Sequence, residues 1–189
     1  MLRISGGEWK GHHFATPGHI RATEQKVRQA LFNILQARIP GARVLDGFAG
    51  SGALGLEALS RGARSVLFME ADPVCVRVLQ ANLSRIDRSR CELVRGDVLR
   101  NLRRVAQAHP PFDVVLFDPP YDAGLEKKVL NAVQGCAILA PAGIVCVEHA
   151  SRDEPPRSLG SLTLTKQHRY GGTVLSFYQD NAGDLSGDV

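Results

Sequence analysis

The chain has 189 residues, 44% of them hydrophobic and 22% charged, with a formal net charge of +4. This is one domain's worth of chain, long enough to bury a full core, and its composition excludes a disordered class. No run approaches the roughly 20 apolar residues of a membrane span, and the N-terminus lacks the apolar stretch of a signal peptide.

Residues 1–28 carry Arg3, Lys10, Arg21, Lys26 and Arg28 against Glu8 and Glu24, so most of the positive excess sits at the front. Trp9, His12, His13, Phe14 and His19 lie among these charges, and Gly6, Gly7 and Gly11 imply a flexible hairpin. Basic residues interleaved with rings suit nucleic acid, through phosphate contacts and base stacking. Arg3, Lys10 and Arg21 are the candidate contacts; an edge hairpin kept soluble by its charge is the alternative. Thr23 then reads as an N-cap, and Val27, Ala30, Leu31, Ile34 and Leu35 form an apolar stripe at helical spacing. That helix is expected to pack on a sheet and leave Arg21, Lys26 or Arg28 near a ligand cleft.

Further along, apolar segments near 43–46, 65–70, 91–96, 112–117 and 143–148 alternate with helical patterns near 53–61, 73–85, 98–108 and 125–137. The alternation predicts βαβ units and a parallel sheet covered by helices on both faces. Segments 162–165 and 173–178 alternate with period two around Gly171-Gly172 and predict a closing antiparallel hairpin. Residues 151–160, with Pro155 and Pro156, read as a loop, and the tail from Asp180 reads as disordered.

The first apolar segment ends in Asp46 and runs into Gly47-Phe48-Ala49-Gly50-Ser51-Gly52, with Gly55 completing G-x-G-x-x-G. Glycines permit close approach of a ligand, and the turn presents amides at a helix N-terminus. The pattern alone also suits a dinucleotide. Asp46 tilts the choice, because a carboxylate there repels a pyrophosphate and attracts the ammonium of a cofactor such as S-adenosylmethionine. Glu70 ends the next segment, one βαβ unit on, where an acid can bind ribose hydroxyls. A capping role for Glu70 is the alternative, for which Asp72 is better placed. Asp97 ends the third, either near an adenine amino group or as an N-cap.

The fourth segment runs into Asp118-Pro119-Pro120-Tyr121. Two prolines stiffen the turn and remove donors, leaving carbonyls free to accept, and a ring follows at once. Acceptors plus a ring form a receptor for the amino group of a flat heterocycle, although a tight turn alone also has this sequence. Four successive strands thus end in acids. Cys75, Cys91, Cys136 and Cys146 show no C-x-x-C spacing and the histidines no metal-site spacing, so a reduced, cytoplasmic, metal-free monomer is expected.

Four blocks together resemble one family over the whole chain apart from its tail. They are Arg3 to Gly11, Arg21-Ala22-Thr23 with Val27 to Asn33, Asp46 to Gly62, and Asp118 to Tyr121. The resemblance is to RsmD, the small-subunit ribosomal RNA guanine-N2 methyltransferases; the last block alone also occurs in DNA adenine-N6 methyltransferases. It implies a class I S-adenosylmethionine-dependent methyltransferase, with a Rossmann-like, seven-stranded, mostly parallel α/β sheet and an N-terminal β-hairpin extension. Residues 1–22 would be the RNA-contacting extension, 23–179 the methyltransferase domain and 180–189 the tail. Methylation of one guanine N2, on an assembled or assembling small subunit, is the implied activity. Gly47 and Ala22 depart from the family pattern, which has an aromatic or cysteine and a proline there, without removing a chemical group. Rival functions are a DNA adenine methyltransferase, a dinucleotide oxidoreductase and a non-catalytic RNA-binding assembly factor.

Overall fold

The computed structural model describes residues 1–18, 25–120 and 124–180. Expectations for Arg21, Thr23 and Tyr121, and for the tail beyond Asp180, fall outside the described residues. Among the described residues, no helix is long and apolar enough to cross a membrane.

Short strands β1 (Leu2–Arg3) and β2 (His13–Phe14) pair antiparallel, forming the expected N-terminal hairpin. Helix α1 (Gln25–Ile34) follows, then β3 (Arg43–Gly47), α2 (Ala53–Ser60), β4 (Ser65–Glu70), α3 (Pro73–Leu83), β5 (Cys91–Arg95), α4 (Val98–Ala108), β6 (Phe112–Phe117) and α5 (Leu125–Gln134). The chain closes with β7 (Leu139–Ala150), β8 (Ser158–Leu159), β9 (Leu162–Tyr170) and β10 (Thr173–Asp180).

The main sheet has the order β5-β4-β3-β6-β7-β10-β9-β8. The first five strands in that order are parallel, and the last three join antiparallel. Seven strands follow the expectation; the eighth, two-residue β8, forms inside the segment read as loop, where Leu159 pairs with Leu162. Asp180 ends β10 instead of opening the tail.

Each face of the sheet is covered. Val44, Leu116, Ile144 and Cys146 on one face pack against Leu31 of α1, Leu56 of α2 and Leu79 of α3. Leu45, Val115, Val145 and Val147 on the other pack against Leu102 of α4 and Val129 of α5. Strands buried on both faces explain the near-continuous apolar runs that marked them in the sequence.

Candidate active site

The strand order decides which loops meet. From central β3 the chain moves outward to β4 and β5, then returns to β6 and β7 on the other side. Strands β3 and β6 therefore flank the switch point, where open α/β sheets bind ligands. Asp97, Glu70, Asp46 and Asp118, at or just past the carboxyl ends of β5, β4, β3 and β6, stand along one edge in that order.

Asp46 is only 1% exposed, and its Oδ2 accepts the Gly55 N–H at 2.8 Å. Burial pushes its carboxyl up to about 8; the Gly55 hydrogen bond opposes this, while the charges of Asp118 and Glu70 add to it. The charge pictured as open to a ligand thus lies beneath the loop, with one oxygen tying β3 to the start of α2. A cation brought beside it would restore the ionised form.

Glu70 grips the same loop. Its Oε2 accepts the Gly50 N–H at 2.7 Å, and its Oε1 accepts those of Ala71 and Asp72 at 2.8 and 2.7 Å. The Gly52 N–H donates to the Ala49 carbonyl at 2.7 Å. Two amides expected to face an anionic ligand are therefore engaged within the loop. With the Glu70 carboxylate bonded to it, the turn has a negative field that opposes a pyrophosphate.

The glycines divide their roles. Gly50 and Gly52 take left-handed φ of 57° and 87°. A side chain at Gly55 would meet the Phe68 ring at 2.2 Å, so this position allows α2 to lie close on β4. Gly47 has a similar cause: a Cβ there would meet Phe117 at 2.5 Å, so the Phe117 ring fills the place of the larger residue expected from the family pattern. Phe48 holds φ of 64°, a strained conformation without glycine's freedom, and its ring lies edge-on to Phe117 at 6.2 Å. Ala49 and Ser51 are buried within the loop.

Asp97 caps α4, its Oδ1 accepting the Arg100 N–H at 2.8 Å, and its side chain is exposed at the edge. Asp72 caps α3 as anticipated, accepting from Val74 and Cys75. Asp118 is half-buried immediately after β6, with Pro119 buried and Pro120 exposed.

The N-terminal hairpin is docked rather than flexible. Gly7 has φ of +78°, and a Cβ there would meet the Ser60 carbonyl oxygen at 1.9 Å. The Glu8 N–H donates to that oxygen at 2.7 Å, and Ser60 Oγ donates to the Gly6 carbonyl at 2.7 Å. Beneath them Glu57, fully buried, accepts from Ser5 Oγ at 2.7 Å, Arg61 Nε at 2.8 Å and Arg28 Nε at 3.4 Å. Arg28 Nη2 also donates to the Arg3 carbonyl at 2.6 Å. Arg28, pictured near the ligand cleft, is instead 1% exposed and locks the hairpin to α1 and α2. Arg3 and Lys10 keep exposed side chains.

The roles of four residues escaped the sequence reading. Glu57 and Arg28 belong to helices whose charged residues normally face water. Asn82, buried in α3, donates to the carbonyls of Ala15 and Ser51 and accepts the Ala15 N–H. Glu148, buried near the end of β7, had a visible signal: an acid closing the apolar run from Ile144 to Val147. Among the described residues, no group of three or more His, Cys, Asp or Glu could hold a metal ion.

The family model described as Conserved hypothetical protein 95 matches residues 2–179. The chain belongs to the RsmD family. It is similar to Ribosomal RNA small subunit methyltransferase D of Escherichia coli strain K12, with 33% identity over 184 residues, covering 96% of this chain and 91% of that one. The protein of the same name from Haemophilus influenzae is 34% identical over 183 residues, covering 95% and 94%. Among solved structures, Escherichia coli yhhF is similar with a TM-score of 0.85 at 33% identity, covering 96% of this chain and 98% of that chain. The expected class I methyltransferase fold is the one observed, and the RsmD match spans the hairpin, the glycine turn and the Asp-Pro-Pro segment alike.

Proposed function

We propose that this RsmD-family chain methylates the exocyclic N2 of one guanine in small-subunit ribosomal RNA, on the assembled or assembling subunit. Methylation of ribosomal RNA from S-adenosylmethionine is the activity that accords with its family. The single observation that carries the finer reading is the position of Asp118-Pro119 across the switch point from Asp46, within electrostatic reach of it. On this reading the two acceptors would meet the amine beside the cofactor's reacting end.

S-adenosylmethionine, when bound, supplies a methyl group on a sulfonium. The turn from Phe48 to Gly52 would let it approach the backbone, where Asp46 would hold its ammonium, Glu70 its ribose and Asp97 its adenine. A guanine amine is a poor nucleophile, because its lone pair is delocalised into the ring. The Asp118 carboxylate and Pro119 carbonyl accept its two N–H bonds and favour a pyramidal nitrogen with the lone pair aimed at the methyl. That lone pair would take the methyl that the bound donor supplies, the C–S electrons staying with sulfur. One N2 proton passes to Asp118 and on to water, leaving N2-methylguanine and S-adenosylhomocysteine. Acceptors already in place stabilise the positive charge developing on nitrogen. Holding both reactants in line supplies up to roughly 7–11 kcal/mol of the barrier in ideal cases.

Tyr121 is the candidate ring for stacking on the extruded base, a contact worth about 1–3 kcal/mol. The hairpin, through Arg3, Lys10 and Arg21, is the candidate RNA arm. Asp118→Ala tests the assignment: single-turnover methyl transfer should fall below detection while calorimetric affinity for S-adenosylmethionine stays within a few-fold. Near-normal transfer by the variant would sink it.

A further inference from the structure

A fifth carboxylate stands at the same edge. Strands β6 and β7 are parallel, with Leu116 beside Cys146 and Phe117 beside Val147. Continuing that register by one residue places Asp118 beside Glu148. Alternation along β7 sets Glu148 on the Ile144 and Cys146 face, the one on which Val44 and Leu116 also lie. Asp118 and Glu148 both act on the buried Cys146 thiol, so the two acids lie on one side of the sheet within reach of a single group. Glu148 is 6% exposed and on its other flank pairs with Leu175 of β10. Glu148 is thus the one acid in the run from Ile144 to Glu148, set where β7 reaches the ligand-binding edge of the sheet.

We infer that Glu148 is the guanine-selecting residue of this site, accepting the N1–H of the target base while Asp118 and Pro119 take its N2 amine. The inference rests on the reading of the site as a guanine-N2 methyltransferase. Guanine presents N1–H and N2–H₂ as adjacent donors, so two neighbouring acceptors match its edge. Adenine presents an N1 lone pair beside its amine, which a carboxylate repels. The Asp-Pro-Pro turn recognises an amine and is silent on the base that bears it; Glu148 supplies the missing discrimination. A carboxylate that meets the N1–H of guanine gains a hydrogen bond there, and one that meets a lone pair at N1 is repelled, so the analogue lacking the donor is rejected.

The test uses small subunits reconstituted with rRNA carrying either guanine or 2-aminopurine at the methylated position. 2-Aminopurine keeps the N2 amine but has a lone pair at N1. The wild-type chain should prefer guanine by at least ~10-fold in kcat/KM. Glu148→Gln, whose amide can donate to that lone pair, should shrink the preference ~10-fold or more, with its thermal melt confirming a folded protein. Equal losses on both substrates, or a wild-type chain indifferent to the analogue, would overturn the role of Glu148. Failure of the wild-type chain to form N2-methylguanosine on the guanine substrate would instead overturn the underlying reading, and the inference with it.

Discussion

The side-chain amide of Asn82 donates to the Ser51 carbonyl at 2.9 Å, joining the last turn of α3 to the glycine turn. The same carboxamide donates to the Ala15 carbonyl at 3.0 Å and accepts the Ala15 N–H at 2.9 Å. One buried side chain therefore sets the spacing between the cofactor turn and the strand that leaves the basic hairpin. Asn82→Ala should destabilise the protein by about 1–3 kcal/mol for each buried group orphaned. It should also weaken S-adenosylmethionine binding, which calorimetry on the folded variant would measure. A lowered melting temperature with unchanged affinity would restrict Asn82 to holding the hairpin.

Glu57 is the second buried tie. It collects donors from Ser5, Arg28 and Arg61, and the Arg28 side chain beside it is nearly as buried. Removing one partner of such a pair leaves an uncompensated charge, typically costing about 3–5 kcal/mol. Glu57→Ala should lower the unfolding midpoint by that order and expose the hairpin to limited proteolysis before the sheet domain. Cleavage rates equal to those of the unsubstituted chain would contradict the docking role.

Asp46 predicts a pH dependence. Its carboxyl is raised to about 8 in the fold, chiefly by burial, whereas an unfolded aspartate titrates near ~4. Between those values the folded state holds the extra proton, so stability falls as pH rises through that window and levels above about 8. Asp46→Asn should flatten this slope in melts recorded from pH 5 to 9. An unchanged slope would assign it to other groups.

The strands and the Asp-Pro-Pro turn were legible because their signals are local: apolar runs, alternation and proline stiffness act within a few residues. Asp72 as the α3 cap was readable for the same reason. Glu57, Arg28 and Asn82 were not, since the partners of Glu57 lie 52 and 29 positions away at Ser5 and Arg28, and Asn82 reaches 67 positions to Ala15. Nothing in Gly6-Gly7 distinguishes a flexible turn from one pressed against Ser60. Asp46 was legible as a strand-end acid, but its burial depends on how α2 folds back over it.

Charge on the exposed hairpin governs a further expectation. Replacing Arg3, Lys10 and Arg21 together by alanine should weaken binding to small subunits or rRNA and flatten the dependence of log affinity on log salt. Each lost phosphate contact reduces the slope by roughly 0.7–0.9. An unaltered slope in filter-binding titrations would move the RNA surface elsewhere.

The central claim is best tested by methyl transfer from isotopically labelled S-adenosylmethionine to undermethylated small subunits, naked rRNA and duplex DNA in parallel, with the modified nucleosides identified by mass spectrometry. The account predicts label in N2-methylguanosine from the ribosomal acceptors, lost with Asp118→Ala. Label in DNA adenine, or N2-methylguanosine formed equally well without the Asp118 carboxylate, would contradict it.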